Sequence, residues 1–379
     1  MEWDKDAIII LDGKPMRQYE AKTSIGDPGL AYGHVAFDTI KAVPDKDGGR
    51  YFAFREGGTL DFVDERHLQN FAHTLWNDDF EYGHLDRLQF SVSTMRAIRK
   101  LPVSKMELKQ EFEELVQENA GEYKNRTGEL PTFYARIQVW QGNTDMSKPD
   151  QIGVANDAPA RYAILLTRYT SYLAHDKSQS RKPTGVMIVD KPRLLPPECM
   201  DPQAKRSPRY GIAADATHLA REHRYDEALL KDMKGNIGGL DIGAEILGEG
   251  GGENIICYKN GVFYIPRSDS ALNGFNQHAF MLCVRWMGGE VKREIISPSN
   301  LMGMEYIWLT GTAAGEERVF RVGNETGKEI WKSRHTPETY DSQANEDVLH
   351  AERDFDDLVS GRKELSGKES SLITVIKLL

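Results

Sequence analysis

In the 379-residue chain, the stretch GEGGGENIICYKNGVFYIP (Gly248–Pro266) sets Gly250, Gly251 and Gly252 between Glu249 and Glu253, ahead of an apolar strand. Ordering glycine costs more backbone entropy than ordering any other residue, so three in succession imply that something approaches that backbone closely. Two further segments carry groups of chemical use. AKRSPRY places Lys205 five residues before Tyr210. A lysine amine can act as nucleophile and proton carrier, although such a segment is ordinarily a solvated basic loop. LNGFNQHAFMLCVRW reads as a helix entered through Gly274, Phe275 and Asn276. The free N–H groups and dipole of a helix start suit an anion such as phosphate.

The elements that must position these groups fall into two regions. Strand and turn signals come first, in AIIILDG, AFDTIKAV and the Gly-rich DGGRYFAFREGGTLDFV, and predict an antiparallel sheet. Helical spacing follows in ERHLQNFAHTLWND and in MELKQEFEELVQENAGEY, where Leu108, Phe112 and Leu115 form one face. After the strand-like TFYARIQVW, the polar run from Gln141 to Ala158 has no apolar period and marks a connector. The expected division is residues 1–140, a connector at 141–158, and a second domain over 159–379. The second domain opens with RYAILLTRYTSYLA and TGVMIVDK as strands and holds helices at GIAADATHLAREHR and NQHAFMLCVRWMGG. From Asn324 the chain is charged and poorly periodic until SSLITVIKLL.

Composition excludes several classes of function. A net charge of −10 argues against a binder of nucleic-acid backbones. The three cysteines, Cys199, Cys257 and Cys283, lack metal-ligand spacing and are odd in number, so neither a zinc site nor a disulfide framework is expected. His218 and His223 lie along a helix without the carboxylates that would complete a metal site. No signal-peptide core or membrane-length apolar run is present, which fits a cytoplasmic protein with no membrane partner.

The blocks YDEALLKD, EGGGEN, KNGVFYIP, ALNG and LTGTAA follow one another in order. With them the chain, from about Gly26 to Gly323, resembles the fold-type IV (class IV) pyridoxal-phosphate aminotransferases, nearest to the branched-chain amino acid group. The resemblance implies a two-domain α+β fold like that of D-amino acid aminotransferase. A small N-terminal α/β domain would precede a larger C-terminal domain with a barrel-like sheet. It implies pyridoxal 5'-phosphate as cofactor and Lys205 as the catalytic lysine that bonds the cofactor and moves a proton between it and the substrate carbon. Tyr210 would reach the cofactor's phenolic oxygen, and Glu249 would keep its pyridine nitrogen protonated. On this reading the glycines after Glu249 let the backbone pass close to the ring, and Glu253 orders the loop. Gly274, Phe275, Asn276 and Thr312 would hold the phosphate together with Arg66, set where the family has an arginine at the start of its first long helix, three residues after a histidine. Tyr32, Phe37, the pair Tyr134 and Arg136, and Ala313 would face the substrates. Those would be an apolar L-amino acid, such as a branched-chain one, and a 2-oxo acid such as 2-oxoglutarate; a homodimer is also implied.

The chain departs from that pattern at several points. Val63 stands at the histidine position before Arg66, and the approach from Arg55 is long, which makes Arg55 the alternative clamp. Asn276 replaces a usual threonine. MKGNIGGLDIGAEILG lengthens the gap before Glu249 by about ten residues. Two rivals therefore stand beside amino transfer: a lyase of the same fold, like aminodeoxychorismate lyase, and a non-catalytic descendant acting as a binding module.

Overall fold

The computed structural model describes residues 6–45, 50–54, 83–142, 159–169, 184–233, 236–237, 240–241, 245–363 and 373–378. These fall into two compact units. One comprises the chain up to Tyr169 together with the C-terminal residues from Leu358, and the other the residues between.

The first unit is built on a seven-stranded sheet from β1 (Ile8–Leu11), β2 (Lys14–Arg17), β3 (Val35–Pro44), β4 (Arg50–Phe54), β5 (Phe133–Gln141), β6 (Ala160–Arg168) and the C-terminal strand Ile373–Lys377. In order it runs C-terminal strand, β4, β3, β5, β6, β1, β2, and every pairing is antiparallel. Side chains alternate across a strand, and β5 shows the consequence. Phe133, Ala135, Ile137 and Val139 enter a core with Leu108, Phe112 and Leu115 of the helix Lys105–Thr127, leaving Tyr134, Arg136 and Gln138 on the other face. That helix begins at a capping box, Ser104 with Glu107, and stops at Gly128, whose φ of 76° is the left-handed cap that glycine permits. The helix Arg66 was expected to start lies outside the described residues.

A second helix, His84–Ser93, packs Leu88 and Val92 into the same core. Beneath it Arg87 donates from Nε and Nη2 to the fully buried Asp38 at 2.7 and 2.8 Å, and His84 Nδ1 lies 2.8 Å from Asp38 Oδ1. Burial raises the Asp38 carboxyl, but the guanidinium and imidazole outweigh it and hold the group well below the usual carboxylate range.

The second unit is a closed ring. Its strands are β7 (Thr184–Leu194), β8 (Glu227–Asp232), the two-residue β9 (Asn236–Ile237) and β10 (Leu240–Asp241), β11 (Leu247–Gly250), β12 (Asn254–Lys259), β13 (Val262–Pro266), β14 (Glu290–Glu294), β15 (Tyr306–Gly311), β16 (Gly315–Gly323) and β17 (Glu329–Lys332). Pairing runs β11, β8, β7, β16, β15, β12 and returns from β12 to β11, a six-stranded mixed barrel. β7 is parallel to β8 and β16, and the remaining ring pairs are antiparallel. All six strands contribute to one apolar cluster, with Val186, Ile188, Leu229, Leu247, Ile255, Leu309 and Val319 among its members. The opposite face of β7 and β8 packs Met187, Val189, Ala228 and Leu230 against Ala216 and Ala220 of the helix Ser207–Glu222. Burial on both faces explains why TGVMIVDK reads as a continuous apolar run.

The α+β class and the barrel expected from the sequence are present, but the division between units falls later than expected. β6 pairs along its whole length with β5, so RYAILLTR belongs to the first sheet, and Ile373–Lys377 returns to pair with β4. A strand's edge, not a change in composition, sets this boundary. Asn324 onward also holds a helix that charge concealed. In Glu346–Val359, Val348, Ala351, Phe355 and Leu358 are buried at helical spacing. No described helix is long and apolar enough to cross a membrane.

Removing one partner of a buried ion pair leaves an uncompensated charge. Asp38→Ala is expected to destabilise the protein by about 3–5 kcal/mol, measured as a fall in the urea midpoint. Arg353→Ala, at an exposed ion pair with Glu346, is expected to cost less than about 1 kcal/mol.

Candidate active site

Lys205 ends the connection that leads from β7 into the helix Ser207–Glu222, and Tyr210 sits in that helix's first turn. One helical start thus brings both to the same place: Lys205 Nζ hydrogen-bonds Tyr210 Oη and lies 4.5 Å from the centre of its ring. Only 8% of Lys205 is exposed, so it is not the solvated loop lysine that its sequence context suggests. Both residues line a pocket with Arg209, Glu249, Glu253, Asn254 and Leu272.

Glu249 lies in β11, at the ring closure itself, and lines this pocket. Its Oε1 accepts from Arg209 Nη2 at 3.2 Å, and its Oε2 accepts the Leu272 N–H at 2.9 Å. Burial pushes its carboxyl above the ordinary range, while Arg209 and Lys205 act in the opposite direction. Sequence reasoning missed Arg209. Nothing in RSPRY points to a carboxylate forty residues away, and only the fold creates the pair.

What crowds the glycines is protein as much as pocket. A Cβ on Gly251 would lie 2.3 Å from Thr217 Oγ1 and 2.4 Å from Glu227 Oε1, two groups that hydrogen-bond each other. At Gly250 the neighbours are the backbone and carboxylate of Glu253, whereas at Gly252 a Cβ would meet open space. Glu253 Oε2 accepts the Gly252 N–H at 3.0 Å, the loop-ordering role expected of it. Burial and the neighbouring Glu227 push the Glu253 carboxyl well upward.

The turn before Phe275 is tied to the same loop. Asn254 Nδ2 donates to the Leu272 carbonyl at 2.7 Å, and a Cβ on Gly274 would lie 1.7 Å from Asn254 Oδ1, so only glycine fits beside it. The helix Phe275–Trp286 starts with no side-chain cap, an arrangement whose first N–H groups suit an anion. Asn276 Nδ2 donates to Thr312 Oγ1 at 3.2 Å, which joins the two turns expected to hold phosphate. Ala313 follows in the turn between β15 and β16. Tyr225, by contrast, is structural: it is buried, and its hydroxyl donates to the Gly327 carbonyl at 3.2 Å.

This donor set fits a pyridoxal phosphate. It supplies a buried amine beside a phenol, a carboxylate lining the same pocket, and an uncapped helix start with a threonine hydroxyl at hand. No group of metal-ligating side chains occurs among the described residues.

Apart from Ala313, the substrate-side candidates lie in the first unit. Phe37, Tyr134 and Arg136 share the sheet face turned away from the helices, with the Arg136 guanidinium 5.4 Å from the Phe37 ring centre. Tyr32 ends the short helix Pro28–Tyr32 and is half exposed. Arg66 and Arg55 lie outside the described residues. The pattern of a histidine three residues before an arginine at a helix start is met by His84 and Arg87, a signal present in GHLDRL that the choice of Arg66 passed over.

Comparison with known proteins points to one family. The model described as amino-transferase class IV matches residues 80–321, a span that includes Arg87 and excludes Arg66. The branched-chain-amino-acid aminotransferase of Escherichia coli K12 is 24% identical over 341 residues, covering 89% of this chain and 91% of its own. That of Pseudomonas aeruginosa is 22% identical over 370 residues, covering 98% of each. Among solved structures, the T.th. branched-chain amino acid aminotransferase with pyridoxamine 5'-phosphate superposes with a TM-score of 0.71 at 21% identity over 98% of each chain. The same enzyme is known complexed with N-(5'-phosphopyridoxyl)-L-glutamate, at a TM-score of 0.70, 21% identity and 98% of each chain.

The crowding at the glycines separates them experimentally. Gly274→Ala must displace Asn254, and Gly251→Ala must displace Thr217 or Glu227; each is expected to destabilise by about 1–3 kcal/mol. Gly252→Ala is expected to stay within about 0.5 kcal/mol of the parent. Thermal denaturation of the three variants checks this ranking.

Proposed function

The chain belongs to the class IV aminotransferase family, and on that premise we propose that it uses pyridoxal 5'-phosphate to move an amino group between an apolar, branched-chain-type L-amino acid and a 2-oxo acid such as 2-oxoglutarate. The observation that carries this reading is the buried Lys205 beside Tyr210, with Glu249 lining the same pocket. When bound, the cofactor supplies an aldehyde for the lysine and a ring that accepts electrons from the substrate carbon.

The chain's own residues have separate tasks. Lys205 holds the cofactor and, once displaced, carries the proton at its Nζ. Tyr210 Oη, already in contact with that amine, orients it. Glu249 offers a carboxylate to the ring nitrogen. The N–H groups that follow Gly274 and the hydroxyl of Thr312 bind the phosphate, and Asn276 sets that hydroxyl through its own amide. Tyr134 and Arg136 bind substrate carboxylate, for which a guanidinium is well shaped, with Tyr32, Phe37 and Ala313 bounding the rest. Names of relatives support the branched-chain side, and the glutamate adduct of the T.th. enzyme supports 2-oxoglutarate as the second partner. Activity as a cytoplasmic homodimer belongs to the same proposal. For the phosphate clamp we favour Arg87 over Arg66 and Arg55, because it alone follows a histidine by three residues at a described helix start within the matched span.

Borohydride reduction of the protein loaded with pyridoxal 5'-phosphate, followed by peptide mapping, should find the cofactor on Lys205, and Lys205→Ala should abolish both labelling and amino transfer from leucine to 2-oxoglutarate. Label on Lys231 would move the site, and no label at all would favour the binding-module rival. Pyruvate released from aminodeoxychorismate without a 2-oxo acid would instead establish the lyase.

The clamp is decided by cofactor retention. Arg87→Ala should weaken affinity about tenfold to a hundredfold, the loss of a charge-assisted bond of roughly 1.5–3 kcal/mol. Because Arg87 also pairs with Asp38, retention is compared at a temperature where circular dichroism shows the variant folded. Loss of cofactor on dialysis of Arg66→Ala or Arg55→Ala, with Arg87→Ala retaining it, would reassign the role.

A further inference from the structure

We propose that Arg209 is a positioning residue for Glu249: its guanidinium aims that carboxylate into the pocket and keeps it in the ionised form that a protonated ring nitrogen requires. The proposal rests on the role assigned to Glu249 above.

Arg209 is the third residue of the helix Ser207–Glu222, so the same helix start that sets Lys205 and Tyr210 sets it too. Its side chain is buried. Besides Glu249 Oε1, its guanidinium binds two backbone carbonyls from separate loops, Ser270 through Nη2 and Leu195 through Nη1 at 3.5 Å. Those carbonyls are fixed by the chain, so the guanidinium is held independently of Glu249. The carboxylate is then aligned from two sides, by Arg209 on Oε1 and by the Leu272 N–H on Oε2. An arginine serving only to brace loops would need its carbonyls and nothing more, whereas Arg209 also lines the pocket beside Glu249.

Charge supports the same assignment. Removing a carboxylate from water favours its neutral form, and Glu249 is subject to that effect. Arg209 is the largest influence opposing it, followed by the Leu272 N–H and, more weakly, Lys205. Glu249 in turn pushes upward the carboxyl of Glu253 in the adjoining turn. Asp201 and Asp232 also lie within the electrostatic reach of Arg209. Without Arg209, Glu249 would share its surroundings with Glu253 and keep only Lys205 as a cationic neighbour among these groups.

The test uses full-length protein and three variants, Arg209→Met, Arg209→Lys and Glu249→Gln. In Arg209→Met, loaded with pyridoxal 5'-phosphate, kcat at neutral pH should fall at least about tenfold with KM little changed, the mark of an interaction used in the chemical step. The acid limb of kcat should move to higher pH by about one unit, because Glu249 then ionises later. Arg209→Lys, which keeps the charge, should restore most of the limb's position. In the Glu249→Gln background, Arg209→Met should add little, since its target is gone. An unmoved limb, or an undiminished loss in the Glu249→Gln background, would reduce Arg209 to a brace for Ser270 and Leu195 and overturn the proposal.

A second readout is independent of function. In cofactor-free protein carrying 13C-labelled glutamate, the carboxyl resonance assigned by its absence in Glu249→Gln should titrate at higher pH in Arg209→Met than in the parent. No difference would refute the electrostatic link even if Lys205 labels as expected. A clear difference with no label on Lys205 would leave the link standing and remove the function.

Discussion

Closure of the six-stranded ring depends on β11 meeting β12, and that meeting is a single register pair, Glu249 opposite Asn254. A barrel has no free edge only when its last pair is made, so the geometry of the four residues between them is set by the whole sheet. Gly250 N–H donates to the Glu253 carbonyl at 2.6 Å, and the chain must reverse within Gly250–Gly252. The reversal runs against Thr217 and Glu227, which belong to the neighbouring helix and strand. A side chain on Gly251 would force the turn outward and part the seam. From this one constraint Glu249 acquires its direction into the pocket, and Asn254 is placed to tie Leu272 and fit against Gly274. The Glu249 carboxylate and the uncapped helix start are two ends of one closure.

The seam also gathers carboxylates where water is scarce. Glu227, Glu249 and Glu253 are all pushed upward by burial, but their partners differ. Glu227 receives the Thr217 hydroxyl and the Ala228 N–H, and Glu253 receives the Gly252 N–H. These are neutral donors, and each eases burial without supplying countercharge. Glu249 alone of the three is given a guanidinium within hydrogen-bonding distance. Unpaired buried carboxylates resolve their cost by holding a proton, and paired ones by staying ionised. The seam therefore gives three chemically identical side chains different partners, neutral donors for two of them and a guanidinium for the third.

Much of this was legible in the residues. GEGGGEN announces a backbone under close approach, LNGFNQ a helix entrance, and MELKQEFEELVQENAGEY the apolar face of the helix Lys105–Thr127. The barrel and the family followed from ordered blocks, and Asn276 proved to be joined to Thr312 despite replacing the usual threonine. What escaped was whatever depends on pairing at long range. β6 looks like the opening of a new domain because a polar run precedes it, yet its nine residues find their partners in β5. The helix Glu346–Val359 hides its apolar stripe among acids, and one of those, Glu352, is buried to receive Trp308 Nε1 at 2.7 Å. Arg209 and Glu249 are ordinary charges until the ring brings them together. His84 and Arg87 were legible too, but an earlier helical pattern, with no histidine in place, competes with them for the same role.

Family and fold leave the substrate open, since one scaffold supports several reactions, and the proposed substrate residues Phe37, Tyr134 and Arg136 share the outer face of the first sheet. Cross-strand register sets Thr39 opposite Arg136 and Lys41 opposite Tyr134, so that, with Phe37, two cations and two aromatics share a single face of β3 and β5. The Lys41 ammonium stands 4.0 Å from the Tyr169 ring centre, and the Arg136 guanidinium stands over Phe37. A cation resting on an aromatic ring remains able to meet an anion, while the ring beside it offers apolar surface. A face of that composition can accept a carboxylate and a hydrocarbon side chain by turns. That is the demand an amino transfer makes when one pocket must bind an apolar amino acid in one half of its cycle and a dicarboxylate in the other.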